Sequence, residues 1–444
     1  MKKYIFILVV FCLLLTPSLV KAQSTAPGQW VSSINIQNPS TSPAHVTLVF
    51  YDTAGVLKKT YIVQEIPAGG SRLVYTPSDL ADIAAGQYAA VASSDVEVSI
   101  VINSSSTGPS SAGAYSGLTS GDIGTVLYFP AAYNSYYGFF SELIIQNTTN
   151  SDAPISVQFY NQSNGAAVNA PYVVSIPSFS SHGFTLSLLN PALPVGAYSA
   201  KVTSLSAIGG VVNTWNLTKS GEYSTFNGAI TGTTAAILPA LYNNYWGFVS
   251  SLTVQNLDPT NSADVTVTYS NGVVSTLNLA PGVSGELYQP NNTSLPSGNT
   301  NGVFSAKVTS TRNVVAIVNV EDKTKGSLAS YNAIYNPTTT VLCPVVMKTY
   351  YKWFTAETIM NVGNAPATVS VLYANGSTFT TPQIPANGTY NLIENNLPTL
   401  PEASSLAATF TSSQPISVIV QENSNLRYAE APGDYLLAYS CTNK

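Results

Sequence analysis

The sequence predicts an all-β protein made of four tandem antiparallel immunoglobulin-like β-sandwich modules that follow an N-terminal signal peptide. Three observations support this prediction: the composition, a repeat of about 109 residues, and a two-residue alternation of apolar and polar side chains within each repeat. Only 8% of the 444 residues are charged, whereas Tyr alone occurs 27 times. Because helices favour Glu, Lys and Leu while strands favour Tyr, Thr and Val, this composition indicates extended structure.

The repeat is clearest in one strand that ends on an asparagine. This asparagine is residue 38, 147, 256 or 361, so the steps between copies are 109, 109 and 105 residues. The two residues before it are Ile-Gln in the first two copies, Val-Gln in the third and Ile-Met in the fourth. So constant an interval predicts four copies of one structural unit.

Each copy continues with the same series of elements. An alternating strand that ends in Tyr, a tight turn containing Gly and a turn marked by Pro follow the asparagine, and a period of two is typical of a half-buried strand. Two further strands joined by a short turn complete the copy. The alternating strands span residues 46–51, 155–160, 265–269 and 369–373, and the closing pairs span 89–93 and 98–103, 199–204 and 210–213, 305–310 and 314–319, and 407–411 and 416–421.

Short strands at this spacing, without a helical period, predict an antiparallel sandwich for each copy. The predicted division of the chain is a signal peptide at residues 1–22 and modules at 23–124, 125–235, 236–340 and 341–444. Modules linked end to end would form a rod on the order of 120 to 160 Å long.

The N-terminus predicts export. Lys2 and Lys3 form a positive segment, residues 5–15 form an apolar segment, and Val20-Lys21-Ala22 has the small residues of a cleavage site. The apolar segment is shorter than the roughly 20 residues that span a bilayer. We therefore expect a secreted or cell-surface protein with no direct membrane span after cleavage.

Charge and titratable residues limit the possible functions. Loss of Lys2, Lys3 and Lys21 with the signal peptide leaves 13 basic against 21 acidic residues, a net charge of −8, which offers no footprint for nucleic acid. The two histidines, His45 and His182, fall in different modules, and no His/Cys cluster has the spacing of a zinc site. The sequence therefore predicts neither an enzyme nor a bound metal or cofactor.

An aromatic motif leads into each of the last three modules, whereas the first has Trp30 alone. It consists of Tyr133, Tyr136 and Tyr137, then of Tyr242, Tyr245 and Trp246, and then of Tyr350, Tyr351 and Trp353. Because the motif occurs where a module has a predecessor, one interpretation is that the rings pack at module junctions and stiffen a rod. That interpretation predicts extensive burial of Tyr136, Tyr137, Tyr245, Trp246, Tyr351 and Trp353. The alternative is that the rings are exposed and stack on sugars.

Two cysteines remain after signal cleavage. Cys343 aligns with the entry to the fourth module and Cys441 with its end. An even number of cysteines in an oxidising compartment predicts that they form a disulfide.

The fourth module also contains the stretch from Asn361 to Gly376, followed by Ile384-Pro385-Ala386-Asn387-Gly388. These residues resemble the bacterial extracellular immunoglobulin-like repeats of the CARDB type, over about a third of one module. The resemblance implies a sandwich fold, an association with cell adhesion and no catalytic residues.

The expected function is that of a non-catalytic, modular protein of the cell exterior, acting as a structural spacer, an adhesin or a component of an envelope or filament. Its expected partners are a protein or glycan at the cell surface, or further copies of itself. The alternative function is that of a secreted array of glycan-binding modules that uses exposed Tyr and Trp. Burial or exposure of the aromatic rings distinguishes the two.

Overall fold

The computed structural model describes residues 26, 28–107, 111–219, 221–424 and 433–444. Within them, nearly all regular structure is β-strand, arranged in several antiparallel sheets. The remaining regular elements of this part are the short helix α1 (Thr76–Asp79) and three 3-10 turns at Leu186–Leu188, Gln289–Asn291 and Glu394–Asn396. None of its helices has the length and apolar character needed to cross a bilayer.

We group the strands into four units that follow the sequence repeat. Unit 1 contains β1 (Gln29–Gln37), β2 (Val46–Tyr51), β3 (Leu57–Ile62), β4 (Ser71–Tyr75), β5 (Ala89–Ser94), β6 (Ser99–Thr107) and β7 (Ser111–Ser116). Unit 2 contains β8 (Gly124–Tyr136), β9 (Phe139–Asn147), β10 (Ala153–Asn161), β11 (Ala167–Ile176), β12 (Ser181–Thr185), β13 (Gly196–Asn216) and β14 (Tyr223–Asn227). Unit 3 contains β15 (Thr233–Tyr245), β16 (Phe248–Asn256), β17 (Ala263–Tyr269), β18 (Val274–Leu279), β19 (Ser284–Tyr288), β20 (Val303–Asp322) and β21 (Ser327–Asn332). Unit 4 contains β22 (Thr338–Lys348), β23 (Trp353–Asn361), β24 (Val369–Tyr373), β25 (Thr378–Thr380), β26 (Thr389–Ile393), β27 (Ser404–Ser424), β28 (Leu436–Ser440) and β29 (Thr442–Asn443).

Units 2, 3 and 4 share one strand order. The sheets of units 2 and 3 run β11-β10-β13-β8-β9-β12 and β18-β17-β20-β15-β16-β19, with β14 and β21 beside the long strands β13 and β20. Unit 4 has the corresponding order β25-β24-β27-β22, with β23 and β28 also paired to β27. In unit 1 the strands lie in two sheets, β4-β1-β6-β7 and β3-β2-β5. Units 2, 3 and 4 therefore share one arrangement of strands, and the described part of unit 1 repeats it without the first strand.

The long strands correct one prediction. The sequence predicts two strands and a turn at residues 199–204 and 210–213, whereas β13 runs unbroken from Gly196 to Asn216. Its first half pairs with β8 and β10, its second half pairs with β9 and β14, and the register with β8 shifts between Thr203 and Ile208. One strand serves both layers of the unit by changing sheets at this irregularity, and β20 and β27 do the same. The predicted turn separates two strands, β5 and β6, in unit 1 alone.

The repeated asparagine joins two loops in every unit. Asn147 Nδ2 donates to the carbonyl oxygens of Ser151, Ile176 and Pro177 at 2.7 to 3.0 Å, and its Oδ1 accepts from the amide of Thr149. Equivalent bonds are made by Asn38, Asn256 and Asn361. The buried amide fixes the loop after the strand to the Pro-marked turn, which explains why the two motifs recur together.

The four units close into a ring rather than a rod. The strands β7, β14, β21 and β28 lie at its centre, and a side chain at one equivalent position of each donates to the backbone carbonyl of the equivalent residue in the preceding unit. The bonds run from Asn227 Nδ2 to Ser116 O (2.9 Å), from Asn332 Nδ2 to Asn227 O (2.8 Å), from Ser440 Oγ to Asn332 O (2.6 Å) and from Ser116 Oγ to Ser440 O (2.9 Å). Equivalent head-to-tail contacts that return to their start define a cyclic, pseudo-fourfold arrangement.

The glutamine of the repeated strand makes contacts across three of the four junctions. Gln146 and Gln255 donate to the carbonyl oxygens of Ala90 and Ala200 in the preceding units, both at 3.5 Å. Gln37 of unit 1 donates to the equivalent oxygen of unit 4, that of Ala408, at 3.2 Å, whereas unit 4 has Met360 at this position.

The hydrophobic cores are also shared across three of the four junctions. Ile317 of unit 3 packs into the core of unit 2, Ile419 of unit 4 into that of unit 3, and Val101 of unit 1 into that of unit 4. These three residues occupy one equivalent position, so units 3, 4 and 1 insert the same strand position into their predecessors. The prediction of a rod is wrong because the two end units, 1 and 4, pack against each other.

The predicted disulfide is confirmed. Cys343 in β22 and Cys441, which follows β28, are bonded with their Cα atoms 4.9 Å apart. Both residues are buried in unit 4.

Candidate functional site

Three hairpin turns that join the first and second strands of units 2, 3 and 4 hold large side chains in an unusual backbone conformation. The first turn residue is Tyr137, Trp246 or Tyr351, with φ of 49°, 51° and 47°, and the residue that follows also has a positive φ. A two-residue hairpin turn with positive φ at both positions normally contains Asn-Gly or Asp-Gly. A bulky L-residue in the left-handed region costs on the order of 1 kcal/mol. Three copies of that strain point to a role that requires an aromatic ring at this place.

The three rings are exposed to solvent. The exposed fractions are 80% for Tyr137, 61% for Trp246 and 81% for Tyr351. The prediction that they pack at module junctions is therefore wrong, because each turn extends beyond the last paired residues of its hairpin. Tyr136, Tyr245 and Trp353 are half-buried and pack against the hydrophobic cores of units 2, 3 and 4.

The exposed rings of Tyr137 and Tyr351 contact further aromatic residues. Tyr137 contacts Tyr136 edge-on with a centroid distance of 4.6 Å, and Tyr136 stacks on Tyr133 at 6.0 Å with an 8° interplanar angle. In unit 4, Tyr351 contacts Tyr350 edge-on at 4.8 Å, and in unit 3 Tyr245 stacks on Tyr242 at 6.1 Å. The motif therefore extends from a buried root to an exposed tip.

The roots reach the next unit. Asn319 Nδ2 of unit 3 donates to the hydroxyl of Tyr133 at 3.1 Å, and the hydroxyl of Tyr242 donates to Gln421 Oε1 of unit 4 at 2.8 Å. Burial raises the pKa of both Tyr133 and Tyr242 far above the usual range, so both stay neutral and hydrogen-bonded. Tyr133 and Tyr242 therefore make the contacts between units that were expected of the whole motif, whereas the turn residues are exposed to solvent.

Polar groups lie beside the tips. The amide of Trp246 donates to Asn299 Oδ1 at 2.9 Å, and Asn244 Nδ2 donates to Ser297 Oγ at 3.0 Å. Beside Tyr351, Thr349 Oγ1 donates to Glu402 Oε2 at 2.7 Å. Each of these two hairpins therefore combines a flat apolar surface with amide, hydroxyl or carboxylate groups.

In a pseudo-fourfold ring, equivalent positions lie on the same face of the ring. The three equivalent turns therefore lie on one face. Unit 1 differs among its described residues, because Trp30 packs on Tyr223 at 4.4 Å and donates from Nε1 to the carbonyl of Ala26 at 3.0 Å. We call the turns 137–138, 246–247 and 351–352 the aromatic face. The sequence signal of this face is a bulky aromatic residue at the first position of a tight hairpin turn, followed by Gly in units 2 and 3 and by Lys352 in unit 4. The same pattern also fits packing at a junction, so the sequence does not distinguish the two.

The histidines lie elsewhere. His45, on the surface of unit 1, bonds Asp95 at 2.7 Å and Glu65 at 3.3 Å, and the Asp95 carboxylate raises its pKa. His182 packs edge-on against Phe184 in unit 2, where burial lowers its pKa, and lines an open cleft of about 420 Å³ with Tyr172 and Pro191. Within the described ranges, no three His, Cys, Asp or Glu residues are arranged to hold a metal ion.

The ring also buries acidic residues that the sequence did not single out. Glu422 of unit 4 accepts two bonds from Asn103 Nδ2 of unit 1, at 2.8 and 3.0 Å, and burial raises its pKa to about 8. In the core of unit 4, Glu357 and Glu394 lie together, and the hydroxyl of Tyr373 donates to Glu394 at 2.9 Å. Burial raises the pKa of Glu394 to about 7 and that of Glu357 well above its usual range. Glu422 lies at the junction of units 1 and 4, Glu357 and Glu394 lie inside unit 4, and none of the three is part of the aromatic face.

Comparison with known proteins gives matches among solved structures alone. No family model and no curated protein matches the chain. It is similar to a crystal structure of Thermotoga maritima 1070, with 22% identity and a TM-score of 0.21, over 23% of this chain and 91% of that one. It is also similar to the Anabaena sensory rhodopsin transducer, with 21% identity and a TM-score of 0.17, over 19% of this chain and 88% of that one. All these TM-scores are low, so the function is inferred from contacts within the chain itself.

Proposed function

We propose that the chain is a secreted, non-catalytic carbohydrate-binding protein of the cell surface, in which four immunoglobulin-like sandwich modules follow a signal peptide and the aromatic face contacts glycan. The observation that carries this proposal is the exposure of Tyr137, Trp246 and Tyr351 in turns whose backbone disfavours them. Strain of this kind persists where function requires it.

The chemistry of the face fits a sugar. A pyranose ring has an apolar face bordered by hydroxyls, so a Tyr or Trp ring can cover the apolar face while neighbouring polar groups bond the hydroxyls. Asn299 and Ser297 beside Trp246, and Glu402 beside Tyr351, supply such groups. The low content of charged residues, 8%, fits a neutral ligand better than a charged one.

Three aromatic sites on one face of the ring favour a ligand made of repeating units. A polysaccharide that engages two or three rings gains affinity through effective concentration, by a factor on the order of 10² to 10⁴ over a single site. Adhesion to a glycan-coated surface follows from such binding, and the disulfide Cys343–Cys441 supports a location outside the reducing cytosol.

The test uses the chain from residue 23 and immobilised laminarin, xylan, mannan and peptidoglycan. We expect at least one of these glycans to retain the protein, and the triple variant Tyr137→Ala, Trp246→Ala, Tyr351→Ala to bind it at least tenfold more weakly. Such a loss corresponds to about 1.4 kcal/mol. Tyr75→Ala, which removes a 44%-exposed ring of unit 1, serves as the matched control and should bind as the parent does. Retention of the triple variant equal to that of the parent, or no retention by any of the four glycans, contradicts the proposal.

A further inference from the structure

Unit 1 has no counterpart of the first strand among its described residues. In units 2, 3 and 4 that strand is β8, β15 or β22, and it pairs with the first half of the long strand. In unit 1 the strand that corresponds to the first half of the long strand is β5, which is the outermost strand of the sheet β3-β2-β5. Within the part of the chain that the structure describes, one edge of β5 therefore has no strand beside it.

Core positions are uncovered beside this open edge. Ala90 and Ala92 pair with Phe50 and Leu48, whose side chains are buried in the core, so all four lie on the core face of the sheet. Ala90 and Ala92 are nevertheless exposed. At the equivalent positions of the other units the side chains are 0 to 2% exposed: Ala200 and Val202, Ala306 and Val308, and Ala408 and Phe410.

The opposite layer shows the same difference. Val98, just before β6, and Ile102 are half-buried in unit 1, although the equivalent positions of the other units point into the core. The equivalent residues are completely buried elsewhere: Ile208 and Val212, Val314 and Val318, and Ile416 and Val420. Unit 1 thus has a groove between its two sheets, with the position and lining of a missing strand.

The strands that fill this place in the other units define the chemistry of an occupant. Buried apolar side chains alternate along them, as at Leu127, Phe129 and Ala131 of β8, or Val341, Cys343 and Val345 of β22. Each strand also contains a Pro, at 130, 239 or 344, where its register with the long strand shifts. A residue without an amide hydrogen is tolerated there because the ladder is already interrupted. The groove fits an extended segment with apolar residues at alternate positions and an optional Pro between them.

The predicted signal cleavage would remove most of the residues that precede β1 in the sequence, where the other units have their first strand. Cleavage after Ala22 leaves residues 23–28 before β1, whereas β8 and β15 have 13 residues each and β22 has 11. We infer that unit 1 accepts a β-strand from another protein, an extended apolar segment that pairs with β5 and completes the core of the unit. This inference rests on signal cleavage and is independent of glycan binding at the aromatic face.

The experiment uses the chain from residue 23 and a fluorescent peptide with the sequence of β8, residues 124–136. We expect saturable binding by fluorescence anisotropy, together with slower hydrogen exchange at the amides of residues 89–94. A peptide with Asn in place of Leu127, Phe129 and Ala131 should not bind. The variant Ala92→Glu, which places a charge on the core face of the groove, should weaken binding on the order of tenfold or more. The variant Ser93→Glu, on the opposite face of the same strand, should bind as the parent does.

Three results overturn the inference. One is the absence of peptide binding to the parent chain, and another is equal binding by Ala92→Glu and the parent. The third is a competing occupant: a mass of the exported protein that includes residues 1–22, or a stable self-associated form in which residues 89–94 are protected without peptide. Binding of the β8 peptide to a monomeric chain that begins at residue 23 supports it.

Discussion

Ser116 Oγ donates a hydrogen bond to the carbonyl oxygen of Ser440 at 2.9 Å, although the two residues are 324 positions apart in the sequence. The same seam contains the bond between the hydroxyls of Ser99 and Thr442, at 2.9 Å, and the two bonds from Asn103 to Glu422. Units 1 and 4 are therefore neighbours, and the properties of this seam distinguish a ring from a chain of beads.

The first prediction concerns the dimensions of the particle. We expect small-angle scattering to give a maximum dimension well below the 120 Å or so of a four-module rod. Val101→Asp should increase that dimension, because Val101 is completely buried in the core of unit 4 and a carboxylate there would separate unit 1 from it. Val56→Asp, at a 51%-exposed position of the same unit, is the control. A parent profile as long as the rod, or no change for Val101→Asp, contradicts ring closure.

The second prediction concerns the disulfide. The bond between Cys343 and Cys441 closes a loop with a sequence separation of 98. The variant with Ala at both positions should lose roughly 4 kcal/mol of unfolding free energy in the chain-entropy description, measured by guanidinium unfolding of unit 4 signals. The parent should also contain no free thiol when denatured without reductant. Two thiols per chain in that titration would be inconsistent with the structure.

The third prediction concerns pH. Burial raises the pKa of Glu422 to about 8 and that of Glu394 to about 7, so the folded protein favours the neutral carboxyls. Their contribution to stability is complete below the ordinary pKa of about 4.5 and is lost as the pH rises through 7 to 8. The free energy of unfolding should therefore fall between pH 5 and pH 9.

Glu422→Gln isolates one part of this effect. The amide oxygen can still accept from Asn103, but it no longer titrates, so the variant should lose less stability than the parent over the same pH range. Glu97→Gln, at an exposed position, should follow the parent curve. Parallel curves for Glu422→Gln and the parent would show that Glu422 does not titrate as the structure implies.

The fourth prediction concerns the strained turns. Asn tolerates positive φ far better than Tyr or Trp, so Tyr137→Asn and Trp246→Asn should each raise the free energy of unfolding by about 1 kcal/mol. The same variants should lose affinity for glycan, which separates stability from function. Tyr75→Asn, at φ −100°, should give no such gain. If both turn variants are less stable than the parent, the tips are held by contacts that outweigh their strain.

The sequence allowed the prediction of features that depend on local chemistry. Asn147 recurs because one amide joins two loops of its own unit, and the alternation of Ile155, Val157 and Phe159 with half-buried neighbours follows from the pleat of a single strand. The disulfide followed from two cysteines in one repeat.

Features that depend on contacts between units could not be predicted. A tandem repeat has the same local pattern in a rod and in a ring, and the bond from Ser116 to Ser440 is made by two serines that have no distinctive sequence signal. The unbroken course of β13 through residues 204–208 depends on two layers competing for one strand. The exposure of Trp246 likewise depends on how far its turn extends beyond the paired strands.

Joining the four units in one polypeptide has a consequence for how the protein can diversify. In a ring of separate identical subunits, every substitution appears four times, and all sites change together. In this chain each unit has its own stretch of sequence, so one unit can change without the others. Met360 replaces a glutamine in unit 4 alone, and the disulfide is confined to that unit. Assembly is intramolecular as well, so it does not depend on protein concentration. Substitutions can therefore change each of the three exposed rings separately, while the contacts between the units are kept.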